Sequence, residues 1–203
     1  MTGAQIISVL GILATVVIAI AGAYTVHFLT HNRSWREYRL RKLEELYAAL
    51  HVHEVTIAEY YTRSAYFLNE PEDAKGLKEQ EELLVPVRIA LHEDEKKASI
   101  IPMIINIYFK DLLPAWQNFE SAKQRLSTEH YRANMLNEDK RESLSRMERE
   151  AITKSVALAI VGQRLPELAD FKNEMFTKIT QAADDIKEER PWPFKDLFRD
   201  GRS

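Results

Sequence analysis

Thirty consecutive residues, Gly3 to Asn32, contain no Asp, Glu, Lys or Arg: "GAQIISVLGILATVVIAIAGAYTVHFLTHN". Nothing else in the chain restricts its folding as strongly. In lipid every backbone N–H and C=O must be satisfied internally, so one such segment can cross only as a helix. At ~1.5 Å per residue, Gly3 to Thr30 would reach roughly 40 Å, more than the ~30 Å hydrocarbon core. The run predicts a membrane anchor over residues 1–32, followed by a domain at 33–190 and an aromatic, basic tail at 191–203.

Ala21-Gly22-Ala23 has the small-x-small pattern that signal peptidase cuts, so a cleaved export signal is the competing reading. Such a signal carries a basic n-region and a shorter apolar core. Met1-Thr2-Gly3 has no basic side chain, and apolar residues continue past the cut at Val26, Phe28 and Leu29. A retained anchor is expected. Arg33, Arg36, Arg39, Arg41 and Lys42 follow the run and no basic residue precedes it. The positive-inside rule then predicts a single-pass protein of the cell membrane, with the N-terminus outside and the C-terminal domain cytoplasmic. Tyr24, His27, His31 and Trp35 suit the interface.

Small residues recur along one side of the run at Ala4, Ser8, Gly11, Thr15, Ala19 and Ala23, opposite Ile7, Leu10, Leu13, Val17 and Ile20. That spacing lets helices approach closely in lipid, so span self-association is a candidate property. An Ala-rich span also produces such a stripe by chance.

All 28 basic and 31 acidic residues lie from Arg33 onward, in about 170 residues, enough for one domain with its own core. A net charge of −3 argues against broad nucleic-acid binding, which needs a clustered positive field. The absence of cysteine excludes disulfides, thiolate metal sites and cysteine nucleophiles.

The domain reads as helical throughout. With Leu43 as origin and ~100° per residue, Leu46, Tyr47, Leu50, Ile57, Ala58, Tyr61, Ala65 and Leu68 share one face. This predicts a first helix continuous with the span and ending before Asn69-Glu70-Pro71-Glu72-Asp73. A second is expected from about Glu72 to Lys97, interrupted at Pro86. Ser99 and Pro102 look like a restart. Ile101, Ile104, Tyr108, Leu112, Phe119, Ala122 and Leu126 then make a second stripe, with a kink at Pro114. Residues 128–143, polar and uneven, read as a loop. The last helix carries Ile152, Val156, Ile160, Leu168, Phe171, Met175, Ile179, Ala182 and Ile186 and stops at Pro191.

The fold class expected is all-α: one transmembrane helix and an elongated antiparallel bundle of about four long, partly kinked helices, with coiled-coil character. An even number of helices returns the fourth toward the membrane. The tail, with Trp192, Phe194 and Phe198 among Arg and Lys residues, would then meet the lipid interface; docking back onto the bundle is the alternative.

Catalytic signals are sparse. Di-iron bundles need Glu-x-x-His pairs, and no Glu stands three residues before a His here. His51 and His53 diverge by ~160° on a helix, whereas a helical two-His metal site wants i and i+4. Neither metal nor cofactor is expected. Glu54 lies ~20° from the centre of the first stripe and predicts a buried carboxylate that must find a partner.

Arg125-Leu-Ser-Thr-Glu-His130 resembles the Arg-x4-His spacing of the helical HEPN ribonucleases. The resemblance implies RNA cleavage with Arg125 and His130 as catalytic residues. That family usually has a polar residue after the Arg, whereas Leu126 here serves the apolar stripe.

The function expected is interaction and placement: a membrane-anchored adaptor, scaffold or membrane component of a small bacterial system, with no enzymatic activity. Its expected partners are the bilayer and another protein or a second copy of itself, with no nucleic acid. The alternatives are a membrane-tethered HEPN-like ribonuclease and a periplasmic sensor or structural bundle.

Overall fold

The computed structural model describes residues 3–69, 74–139 and 145–189. Side chains are described from Thr15 onward, except at residues 69, 74–81, 133–139, 146 and 149. The described residues are helical almost throughout and contain no strand. The helices are α1 (Gly3–Asn69), α2 (Ala74–Ala98), α3 (Ile100–Tyr108), α4 (Leu113–Asp139), α5 (Arg146–Ala159) and α6 (Leu165–Glu188). A 3-10 turn, Lys110–Leu112, leads into α4, and a π-helical turn, Ile160–Arg164, joins α5 to α6. Four helical arms result: α1, α2 with α3, α4, and α5 with α6. They form an all-α bundle.

The chain divides into two compact units, one from residues up to Arg41 together with those from Ala183, the other from Lys42 to Ala182. In the larger unit, buried positions of α1 fall at Leu43, Leu46, Leu50, His53, Ile57, Ser64 and Ala65. Leu43, Leu46, Leu50, His53, Ile57 and Ser64 follow the 3.5-residue repeat of a coiled-coil seam, in which knobs pack into holes on the facing helices. α4 contributes Trp116, Phe119, Ala122 and Leu126, and α6 contributes Leu168, Met175 and Ile179.

Side-chain pairs give the directions. His53 of α1 packs against Phe119 of α4, and Tyr61 packs edge-on against His130, so α1 and α4 run parallel. Tyr47 stacks on Phe176 while Glu54 meets Lys172, so α6 runs antiparallel to α1. Arg125 and Glu129 of α4 meet Glu167 and Arg164 in reverse order, so α6 is antiparallel to α4 as well.

Several local expectations change. Pro86 stays inside α2. The break in the second stripe falls at Phe109, where φ −140° and ψ 56° leave helical space. Pro114 is the second residue of α4, in the first turn, where a missing N–H costs no helical bond. Thr128 to Asp139, read as loop, continue α4; only 140–143 of that stretch lie outside the described residues. Aromatic contacts of His130 with Tyr60 and Tyr61 and the Glu129–Arg164 pair hold its first part against the neighbouring arms.

The last helix is also not uniform. The Leu165 N–H reaches back five residues to the Ile160 carbonyl. Pro166 has no N–H to offer the ladder, and the wider turn places it in the first turn of α6.

In the smaller unit, α1 presents exposed apolar side chains along the uncharged run: Val17 is 63 % exposed, Ile18 72 %, Ile20 64 % and Val26 65 %. Among the described residues no helix is long and apolar enough to cross a membrane. Residues 3–14 of the uncharged run, Ser8 and Gly11 among them, contribute helical backbone only. Thr15, Ala19 and Ala23 of the small-residue stripe are exposed.

At the other end of this unit, Arg39 contacts the Glu189 carboxylate at 3.0 Å and Arg36 donates to the Glu189 carbonyl. The end of the fourth arm thus sits on the first basic residues after the run. Arg33 pairs with Glu37 at 2.8 Å. Trp192, Phe194 and Phe198 lie outside the described residues.

Candidate functional site: a polar cleft on α1, α2 and α4

α2 and α4 part over the His53–Tyr61 stretch of α1 and leave a cleft. Its central chamber, about 710 Å³, has Ile57 and Tyr61 as floor, Leu91 and Glu95 of α2 on one wall, and Gln117, Glu120, Lys123, Gln124 and Ser127 of α4 on the other. A chamber of about 250 Å³ adjoins it at His53, Ser99 and Trp116, and one of about 360 Å³ at Tyr60, Arg88, His92 and His130. Glu95 lines all three.

His53 is 1 % exposed. Its Nδ1 lies 2.6 Å from Asp94 Oδ2, and its Nε2 lies 3.4 Å from the Lys123 ammonium. An ammonium only donates, so Nε2 is the acceptor and Nδ1–H the donor to Asp94. The ring thus sits between a carboxylate and an ammonium, and Lys123 also pairs with Glu120 at 3.0 Å.

Further along, burial raises the Tyr61 pKa; a hydrogen bond with Ser127 opposes this, while Tyr60 and the negative charge of Glu95 add to it. Burial lowers the pKa of His130, whose ring meets Tyr60 and Tyr61 edge-on at 5.6 and 5.3 Å.

The other singled-out residues lie elsewhere. Glu54 is half-buried and meets Lys172 at 3.7 Å, so its partner is a lysine of α6. Arg125 turns to Glu167 of α6 at 2.5 Å, while His130 packs on α1; the HEPN-like spacing does not direct the two at a common point. Burial works to raise the Glu167 pKa, but hydrogen bonds from Arg125 and Arg164 outweigh it and hold the carboxyl low. Among the described residues, no three His, Asp or Glu side chains are placed to hold a metal.

The buried partner on the α1 seam is therefore His53, one residue from the expected Glu54. A 3.5-residue count would have found it: His53 stands seven residues after Leu46. Asp94 has no comparable signal, because its burial depends on where α2 crosses α1. No family model, curated protein or solved structure matches this chain.

Proposed function

We propose that this is a membrane-anchored helical-bundle protein that acts by interaction and placement, as an adaptor or scaffold, with its bundle on the cytoplasmic side. The observation that carries the anchor is the exposed apolar surface of α1 from Val16 to Leu29, within a run that has no charge before Arg33. Water penalises such a surface by roughly 25 cal/mol per Å², and lipid removes the penalty. The contacts of Arg36 and Arg39 with Glu189 support a fourth arm that ends beside the anchor's exit. Exposed Met147, Leu158 and Val161 on α5 and the turn after it, 82 %, 71 % and 50 % exposed, favour a protein partner over a self-contained role.

The test is fractionation of the full chain with an alkaline carbonate wash, paired with C-terminal reporter fusions. Retention in the washed membranes, release on deleting residues 1–32, and reporter activity only on the cytoplasmic side are expected. A full chain found in the soluble fraction refutes the anchor, and an active periplasmic phosphatase fusion refutes the orientation.

A further inference from the structure

We infer that the cleft between α2 and α4 binds a small organic cation carrying alkylammonium groups, with the Glu95 carboxylate as its principal contact. The inference concerns the bundle alone and stands whether or not the chain is anchored in a membrane.

The first argument is charge. The central chamber presents Glu95 and Glu120 against a single basic side chain, Lys123. That ammonium already serves Glu120 at 3.0 Å and His53 at 3.4 Å. Glu95 makes no ion pair among the described residues, although all three chambers open onto it. Its negative field reaches the buried face of the cleft, where it disfavours ionisation of Tyr61. Arg88 borders only the end chamber with Tyr60 and His130, so at the centre the Glu95 charge is left without a basic neighbour of its own.

The second argument is the wall. Tyr61 at the centre and Trp116 at one end are buried, whereas the half-buried Tyr60 and the exposed Tyr131 border the other end, where ring surface is available to a cation. Gln117 and Gln124 add neutral acceptors for the remaining N–H groups. The volume of about 710 Å³ lies in the range of small-molecule sites.

The third is length. His53 and Tyr61 stand eight residues apart on α1, about 12 Å at 1.5 Å per residue, which suits an extended aliphatic chain with more than one amine. The ammonium of such a chain would replace the missing partner of Glu95.

The experiment is isothermal titration of spermidine into the full chain in mild detergent at 150 mM salt, with a Lys-Gly-Lys peptide as a second arm. Saturable binding is expected, weakened tenfold or more in Glu95→Gln and unchanged in Glu174→Gln, whose carboxylate faces Lys178 on α6. Glu95 is exposed, so Glu95→Gln should keep the wild-type thermal midpoint, which is measured alongside. Binding of spermidine identifies a free amine as the source. Binding of the peptide alone, lost in Glu95→Gln, supports the same cation site with a polypeptide as its source. No saturable binding of either, or equal weakening by both variants, overturns the proposal, because the latter marks general attraction to acidic surface.

Discussion

Asp94 and His53 are both buried and each is stabilised by the other, and the consequence is asymmetric. Asp94→Ala would leave the Nδ1–H of a buried ring without an acceptor, at a cost of about 1–3 kcal/mol. Replacing both, as His53→Leu with Asp94→Leu, removes the unsatisfied group and should recover most of that loss; denaturant midpoints of the two variants check the difference. His130 gives a pH prediction of definite sign. Its pKa is lowered from an ordinary value of 6.5 by burial between α1 and α4. Between the folded and the unfolded pKa the unfolded chain holds more protons, so stability rises with pH across that window. The contribution is fully present above about pH 6.5 and is lost as pH falls toward the lower folded value. Thermal midpoints between pH 5 and 8 should therefore drop on the acid side for the native chain and drop less for His130→Gln. Glu167 contributes in a separate, more acidic window: its lowered pKa adds stability that is lost below about pH 4.5.

Among the elements, the π-helical turn between α5 and α6 is the informative one. It holds Ile160 fully buried and delivers Pro166 to the start of α6 without a broken ladder. Gly162 within it is exposed, and an added Cβ there would meet nothing within 4 Å. Glycine therefore costs conformational entropy at this point without relieving any crowding. Gly162→Ala should stabilise the chain by about 0.5–1 kcal/mol, seen in thermal unfolding as a rise of about 1–4 °C. Four helices were legible because apolar positions recur at helical spacing, but the stripe from Ile101 to Leu126, read as one kinked helix, is divided at Phe109 between the second and third arms. Their ends and interruptions were less so. Residues 128–139 carry few apolar side chains, and their helix is secured by partners on other arms, such as Arg164 and Tyr61, that a local reading does not see. The cleft was not legible at all. Tyr61 belongs to the first apolar stripe and nothing in the local sequence singles out Glu95; they come together only through the parting of α2 from α4.

For the whole molecule, the decisive question is what covers α1 between Thr15 and Leu29. Ile18 is 72 % exposed and stands near the middle of the uncharged run. If lipid covers it, a charge placed there is buried far from both interfaces; if water does, a charge is harmless and removes an apolar liability. Ile18→Arg should cost about 2.5–3.5 kcal/mol of insertion free energy, on the order of a 100-fold shift away from the spanning state. The expected observation is loss of Ile18→Arg from carbonate-washed membranes, with Ile18→Leu retained as the control. Orientation is a second matter, because Arg36 and Arg39 also bind Glu189 and cannot be neutralised without disturbing the end of the fourth arm. Arg33 and Arg41 are exposed and make no contact with that arm among the described residues, so they test topology more cleanly. Neutralising both leaves only Arg36, Arg39 and Lys42 beside the exit, so adding five lysines before Gly3 moves the positive excess to the other flank. The bundle should then appear on the far side of the membrane, and reporter fusions read that inversion directly. A bundle that stays cytoplasmic in this variant would mean that its own folding, ahead of the charge balance, decides its side.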